Sequence, residues 1–97
     1  MRDQATMKSF PDNVLPYKKT PEFTERTLPD AVRESHRTKE GVWAKIIVLE
    51  GSLEYSILEG EIEVVPLKHG VVGVVKPAIH HCVKPIGAVR FYVEFYK

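Results

Sequence analysis

The hydrophobic pattern divides the chain near residue 41 into two parts of different character. Residues 1–40 are polar and are interrupted by four prolines, Pro11, Pro16, Pro21 and Pro29. Prolines at this spacing exclude a long helix and favour extended or turn structure. A short helical turn is predicted only within residues 30–35. We expect a loose N-terminal segment over residues 1–12 and one folded domain over residues 13–97.

From residue 41 onward the pattern is that of β-strands. Residues 42–49 are rich in β-branched and aromatic side chains, and residues 53–58 alternate apolar and polar positions, which is typical of a half-buried strand. Residues 50–52 separate these two strands as a turn. Further strands are predicted over residues 62–67, 71–75 and 89–96. Many short strands with frequent turns indicate an all-β sandwich or barrel.

Composition narrows the function classes. The chain has 97 residues, which allows one domain and leaves no room for a separate cofactor domain. A net charge of +1 gives no electrostatic reason to expect nucleic acid or an anionic membrane as a partner. The single cysteine, Cys82, excludes an internal disulfide. With neither a secretory signal nor a long apolar run, we expect a cytoplasmic protein.

Histidines are the main candidates for chemistry in this chain. His36 precedes one predicted strand and His81 begins a later one, so the two can converge inside a small β-barrel. Neutral imidazoles are common ligands of divalent metals, and because two alone bind weakly, a third ligand is expected. His69 lies in a turn, where a plain surface role is expected.

The period of two along a strand separates the neighbouring residues His80 and His81. If the segment is extended, His81 shares a face with Ile79 and Val83, whereas His80 and Cys82 share the opposite face. We therefore expect His81 to point inward and His80 to be exposed. Whether His80 or Cys82 faces a pocket is left open.

Glu94 is the candidate for the third ligand. It lies on the predicted strand 89–96, which is otherwise rich in aromatic side chains. The competing interpretation, which we favour on strand geometry, is a salt bridge to Arg90 on the same face of that strand.

Two segments, "VLEGSLEY" (residues 48–55) and "KPAIHHCV" (residues 76–83), resemble the two motifs of the cupin superfamily. Four segments, "YKKTPEFTERTLP" (residues 17–29), "HRTKEGVWAKIIVLEGSLEY" (residues 36–55), residues 77–81 and the ending "VRFYVEFY" (residues 89–96), more closely resemble the TehB/YeaR-like family, named after tellurite-resistance proteins. This resemblance covers nearly the whole chain from residue 15. It implies a single-domain, cupin-like jelly-roll barrel and a role in tellurite or related stress responses without a defined reaction. Some relatives carry this domain fused to a methyltransferase.

The chain departs from the general cupin pattern at the expected metal ligands. Ala44 occupies the position of the cupin glutamate, and Lys39 or Glu40 falls where the second histidine is expected. In the second motif the TehB/YeaR-like pattern places His81, rather than Cys82, at the ligand position. A generic cupin oxygenase site is therefore not expected.

The first functional hypothesis is a divalent-metal site (Zn, Ni or Fe) formed by His36, His81 and Glu94, which binds a small molecule or an oxyanion. The alternative is a non-catalytic small-molecule sensor or interaction module without metal. No catalytic residue is assigned, and whether the protein is an enzyme stays open. The edge strands of a small β-domain lead us to expect a homodimer, with no nucleic-acid or membrane partner.

Overall fold

Six strands and one short helix make up the part of the chain that this computed structural model describes, residues 10–34 and 37–97. In chain order the elements are β1 (Pro16–Lys19), β2 (Phe23–Thr24), α1 (Asp30–Arg33), β3 (Trp43–Ile57), β4 (Glu63–Lys68), β5 (Gly73–Val75) and β6 (His81–Tyr96). The helix α1 confirms the predicted helical turn. It is too short to cross a membrane, and the described residues contain no membrane-spanning helix.

All strand pairs are antiparallel and are arranged around the long central pair β3 and β6. This pair runs from Trp43 opposite Tyr96 to Ile57 opposite His81. The strands β1 and β2 lie along the outer edge of β6, and β4 and β5 lie along the outer edge of β3. No pairing within the described residues joins these two edges. The structure thus confirms the all-β class in a single domain, and it does not confirm a cupin-like jelly-roll barrel.

The strand β3 is continuous where the sequence predicted two strands and a turn. The register passes from Val48 opposite Phe91 to Glu50 opposite Arg90, so Leu49 is an extra residue and forms a β-bulge. Gly51 has a φ of 78°, which glycine adopts without steric cost. The glycine that indicated a turn therefore supports a bulge, because pairing with β6 continues on both sides of it.

This bulge changes which residues of β3 face the core. Even-numbered residues are buried before it, namely Ala44, Ile46 and Val48, and odd-numbered residues after it, namely Leu53 and Tyr55. Such a change follows from the period of two, because one extra residue reverses the alternation of side chains. Both halves of β3 thereby contribute to the same core.

The strand β6 is twice as long as predicted, because it begins at His81 rather than at residue 89. Pro85 and Gly87 precede the predicted strand 89–96, yet Pro85 lies opposite Leu53 within the β3–β6 pair. A second irregularity between Gly51 and Ser52 accommodates two extra residues of β6. Two extra residues preserve the alternation, so odd-numbered residues of β6 are buried on both sides, as at Val83 and Phe91.

Candidate functional site

An apolar pocket lies against the buried face of the sheet. Its volume is about 170 Å³. The strands β3 and β6 supply Ala44, Ile46 and Phe91, and the segment that contains β2 and α1 supplies Phe23 and Val32. The helix α1 and the strand β2 contact β6 beside the pocket, and the small side chain of Ala44 lines it from β3.

Two threonines at the pocket wall use their hydroxyl groups to hold the surrounding chain. The Oγ1 atom of Thr38 donates to the carbonyl of Val42 at 2.9 Å and accepts from the amide of Ala78 at 3.3 Å. The Oγ1 atom of Thr20 donates to the carbonyl of Pro21 at 2.9 Å and accepts from the amide of Val93 at 3.0 Å. These hydroxyls therefore position the pocket walls, which leaves the pocket largely apolar.

His81 is the ionisable side chain of this pocket. It is 7% exposed, and its Nδ1 atom lies 3.0 Å from the carbonyl oxygen of Ile79. Because a carbonyl oxygen only accepts, Nδ1 carries the proton in this contact. The imidazole also meets the ring of Tyr55 edge to face, with ring centroids 5.9 Å apart. The predicted inward orientation of His81 is confirmed.

His80 points to the other side of the strand, with 44% of its side chain exposed. Its Nδ1 atom lies 2.8 Å from the Oε2 atom of Glu59, and its backbone amide donates to the same oxygen at 3.2 Å. These two hydrogen bonds, the side-chain bond first, lower the pKa of Glu59. His69 is exposed, as predicted, and Cys82 is half-buried.

Glu94 lies on the opposite face of β6 from His81, so the structure does not bring these two residues together. Their positions differ by an odd number, and the alternation of β6 is preserved along its length. The hydroxyl of Tyr96 donates to the Oε1 atom of Glu94 at 2.7 Å. Burial and this carboxylate raise the pKa of Tyr96 to about 12. Glu94 thus belongs to an outer cluster with Phe10 and Lys45, whose Nζ atom lies 4.6 Å from the ring centroids of Phe10 and Tyr96.

The competing salt bridge between Glu94 and Arg90 is also replaced by other contacts. The guanidinium of Arg90 donates to Glu22 at 2.8 Å and to Glu50 at 3.1 Å. Glu22 and Glu50 come from the loop before β2 and from the bulge of β3, positions that strand periodicity alone does not bring close to Arg90. His36, the remaining predicted ligand, lies outside the described residues, so its placement stays a prediction.

A basic groove adjoins the pocket, and sequence reasoning missed it. Its volume is about 430 Å³, and Thr38 and Phe95 line both the groove and the pocket. Four cationic side chains surround it, those of Lys18, Arg37, Lys39 and Lys97. The charged run around Arg37 was the signal available in the sequence. Lys18 and Lys97 come close to it because β1 pairs with the end of β6.

An acidic depression lies elsewhere on the molecule, with a volume of about 250 Å³. Its apolar part includes Tyr55, Val74 and Ile79. Its charged lining consists of three carboxylates and one cation, those of Glu59, Glu61, Glu63 and Lys76. The hydroxyl of Tyr55 donates to the carbonyl of Val74 at 3.1 Å, and burial raises the pKa of this tyrosine.

Comparisons with known proteins place these features in a family context. The profile of the TehB-like domain family matches residues 18–93. A curated relative from Haemophilus influenzae, named "Probable S-adenosyl-L-methionine-dependent methyltransferase TehB", is 39% identical over 44 residues. Its counterpart from another strain is 36% identical over 44 residues. The match covers 45% of this chain but 15% of that relative.

Two solved structures share the fold. A structural-genomics target protein from Escherichia coli K12 superposes with a TM-score of 0.82 at 23% identity, over 90% of this chain and 93% of that one. TehB from Haemophilus influenzae superposes with a TM-score of 0.80 at 27% identity, over 88% of this chain and 32% of that one. This chain thus corresponds to about a third of the TehB chain in that structure.

The prediction of a divalent-metal cofactor and a metal-based function was wrong. No group of three His, Cys, Asp or Glu residues within residues 10–34 and 37–97 could hold a metal ion. The curated relatives are named for S-adenosyl-L-methionine instead. The physical reasons are that Glu94 faces away from His81 and that Ala44 stands where the cupin pattern has a carboxylate ligand.

Proposed function

Because the chain belongs to the TehB-like domain family, we propose that it takes part in S-adenosyl-L-methionine-dependent methyl transfer as the domain that binds the methyl-accepting molecule. In such a transfer the bond from the methyl carbon to the sulfonium sulfur breaks while a bond to the acceptor atom forms, and S-adenosyl-L-homocysteine is released. The tellurite-resistance setting that the family resemblance implies is part of this proposal.

The architecture of the described residues supports the assignment of the methyl acceptor, rather than the methyl donor, to this domain. In doubly wound α/β folds, nucleotide-like cofactors bind where a glycine-rich loop joins a strand to a helix N-terminus in a parallel sheet. Every strand pair described here is antiparallel, and α1 has four residues. About two thirds of the solved TehB chain lies outside the superposed region. The donor is therefore assigned to another domain and the acceptor to this one.

The observation that carries the proposal is the apolar pocket beside His81. Its volume of about 170 Å³ is close to that of an engineered apolar cavity, roughly 150 Å³, which binds benzene. An apolar pocket suits a small hydrophobic group and holds it by burial. The pocket is thus sized for a ring or a short branched chain rather than for a whole S-adenosyl-L-methionine molecule.

A titration followed by amide NMR tests the proposal. Benzyl alcohol, as a neutral probe of suitable size, is expected to shift the signals of Ile46, Val75 and Phe91, whereas S-adenosyl-L-methionine leaves them unchanged. Ala44→Leu is expected to fill the pocket and reduce benzyl alcohol binding at least about ten-fold, since the enlarged side chain occupies the space of the ligand. Val64→Leu, on a side chain that is 51% exposed, is the matched control.

A second pocket variant covers the case in which Ala44→Leu does not fold. Val32→Phe narrows the pocket from the helix side, where the side chain is half-buried. Shifts confined to residues outside the pocket, or S-adenosyl-L-methionine binding in the pocket itself, would contradict the proposed function.

Other expectations from the sequence stay predictions. These are the domain limits at residues 13–97, the homodimer, the cytoplasmic location, and the absence of nucleic-acid and membrane partners. Light scattering of the purified protein measures the oligomeric state directly.

A further inference from the structure

We propose that the molecule bound here is an organic anion, whose apolar group of about the size of a benzene ring enters the pocket while its carboxylate lies in the basic groove. This inference rests on the proposed function of the pocket and names the class of molecule that it takes. An aromatic or branched-chain carboxylate has the required chemistry.

The first step is the wall that the two cavities share. Thr38 and Phe95 line both of them, so the cavities are adjacent, and the proposed ligand extends from one to the other past these two side chains. Phe95 lies opposite Lys18 in the β1–β6 pair, which brings a cation to the groove side of this passage. A single small molecule can therefore contact apolar walls at one end and lysines at the other.

The second step is the charge of the groove. Among the ion pairs of the described residues, none involves Lys18, Arg37, Lys39 or Lys97. The Nζ atom of Lys97 instead lies 4.5 Å from the ring centroid of Tyr17. Glu40 lies in a neighbouring depression with Arg37 and Lys39, and it does not line the groove. The cations of this concave surface therefore favour an anionic group in the groove.

The third step is the contrast with cations elsewhere in the structure. Arg90 contacts two carboxylates, and His80 contacts Glu59. The sequence has thirteen acidic residues against fourteen Lys and Arg, so carboxylates are available for pairing. No carboxylate of the described residues lines the groove, although Arg37 acts electrostatically on Glu59 and contributes to its lowered pKa, so the positive charge of Lys18, Lys39 and Lys97 remains for a ligand.

The experiment compares three probes by amide NMR at low and high salt. Benzoate carries the ring and the charge, benzyl alcohol the ring alone, and inorganic phosphate the charge alone. Benzoate is expected to bind up to about five-fold more tightly than benzyl alcohol at low salt, because an exposed charge pair contributes up to about this factor. It should shift both Ile46 in the pocket and Lys39 in the groove, and the preference should shrink at high salt.

Matched charge variants locate the anion. The double variant Lys18→Gln with Lys39→Gln is expected to abolish the preference for benzoate and to leave benzyl alcohol binding unchanged. The control pair Lys68→Gln with Lys84→Gln removes the same charge from exposed lysines outside both cavities, and it should keep the preference. Equal effects of the two pairs would show a response to net charge alone and would overturn the inference.

The outcomes separate this inference from the proposed function. Equal binding of benzoate and benzyl alcohol in the pocket overturns the organic-anion inference and leaves the proposed function standing. Binding of phosphate as tight as that of benzoate, or benzoate shifts confined to the groove, also overturns the inference. If neither aromatic probe enters the pocket, both the inference and the proposed function fail.

Discussion

The apolar pocket and the acidic depression are built from neighbouring residues yet differ in chemistry. Val75 lines the pocket and the adjacent Val74 lines the depression. The pocket opens beside four cations, whereas the depression carries Glu59, Glu61 and Glu63. A net charge of +1 therefore conceals two regions of opposite sign. The comparison shows that a near-neutral composition does not exclude a charged binding surface, because folding decides which charges become neighbours.

Both regions depend on the bulge of β3. Ala44 and Ile46, before the bulge, face the pocket, and Tyr55 and Ile57, after it, face the depression. Without the extra residue, one of these two sets would turn to the outer side of the sheet. The following substitutions test the bulge, the contact between the two regions, and then the depression alone.

The largest loss of stability is expected from Gly51→Ala, which should disrupt both the apolar pocket and the acidic depression. A Cβ atom at this position would overlap the carbonyl oxygen of Ala88 and would lie 2.9 Å from the Cα atom of Val89. Backbone strain at a positive φ adds to this clash, so the free energy of unfolding should fall by about 3 kcal/mol or more. Urea denaturation measures the change.

Gly60→Ala is the control for the bulge variant. Gly60 also has a positive φ, of 65°, but no atom lies within 4 Å of a Cβ built there. Only the strain of about 1–2 kcal/mol is expected. Equal destabilisation by the two variants would mean that close packing at Gly51 does not matter.

A smaller loss of stability is expected from Tyr55→Phe, because Tyr55 lies where the apolar pocket and the acidic depression meet. Tyr55 lines the depression, and its ring contacts that of His81 in the pocket. Loss of the hydroxyl leaves the carbonyl of Val74 without this donor, which should cost about 1–2 kcal/mol of unfolding free energy. Tyr17→Phe, at an exposed position, should change the unfolding free energy by less than about 0.5 kcal/mol in the same urea titration. A Tyr55→Phe variant as stable as the wild type would contradict this hydrogen bond.

The smallest expected change in stability concerns Glu59 in the acidic depression, and it appears only at acidic pH. The pKa of Glu59 lies below its ordinary value of 4.5, so the contribution of this carboxylate to stability is present above that pH and is lost as the pH falls through the lowered pKa. In His80→Ala the side-chain hydrogen bond is absent, and the pKa of Glu59 should rise toward 4.5. Carboxyl-carbon NMR measures the midpoint, and an unchanged midpoint would rule out His80 as the cause.

Local alternation was enough to predict most strand positions and the opposite orientations of His80 and His81. It failed where pairing with a distant strand overrides local turn signals. Glu50–Ser52 and Pro85–Gly87 both look like turns in the sequence, yet strand pairing continues on both sides of each, with Glu50 opposite Arg90 and Pro85 opposite Leu53. The salt bridge from Glu94 to Arg90 failed for a related reason, since Glu22 and Glu50 reach Arg90 from segments distant in sequence.

The sequence by itself determined the all-β class, the inward position of His81 and the family, because these depend on periodicity and on motifs within short segments. Tertiary structure decided that Glu94 faces away from His81, that the sheet stays open within the described residues, and that Lys18 and Lys97 join Arg37 and Lys39. Strand pairing across most of the chain length creates these neighbourhoods. The side chains that form the binding surface are therefore defined by register and by one extra residue in β3, which local composition does not encode.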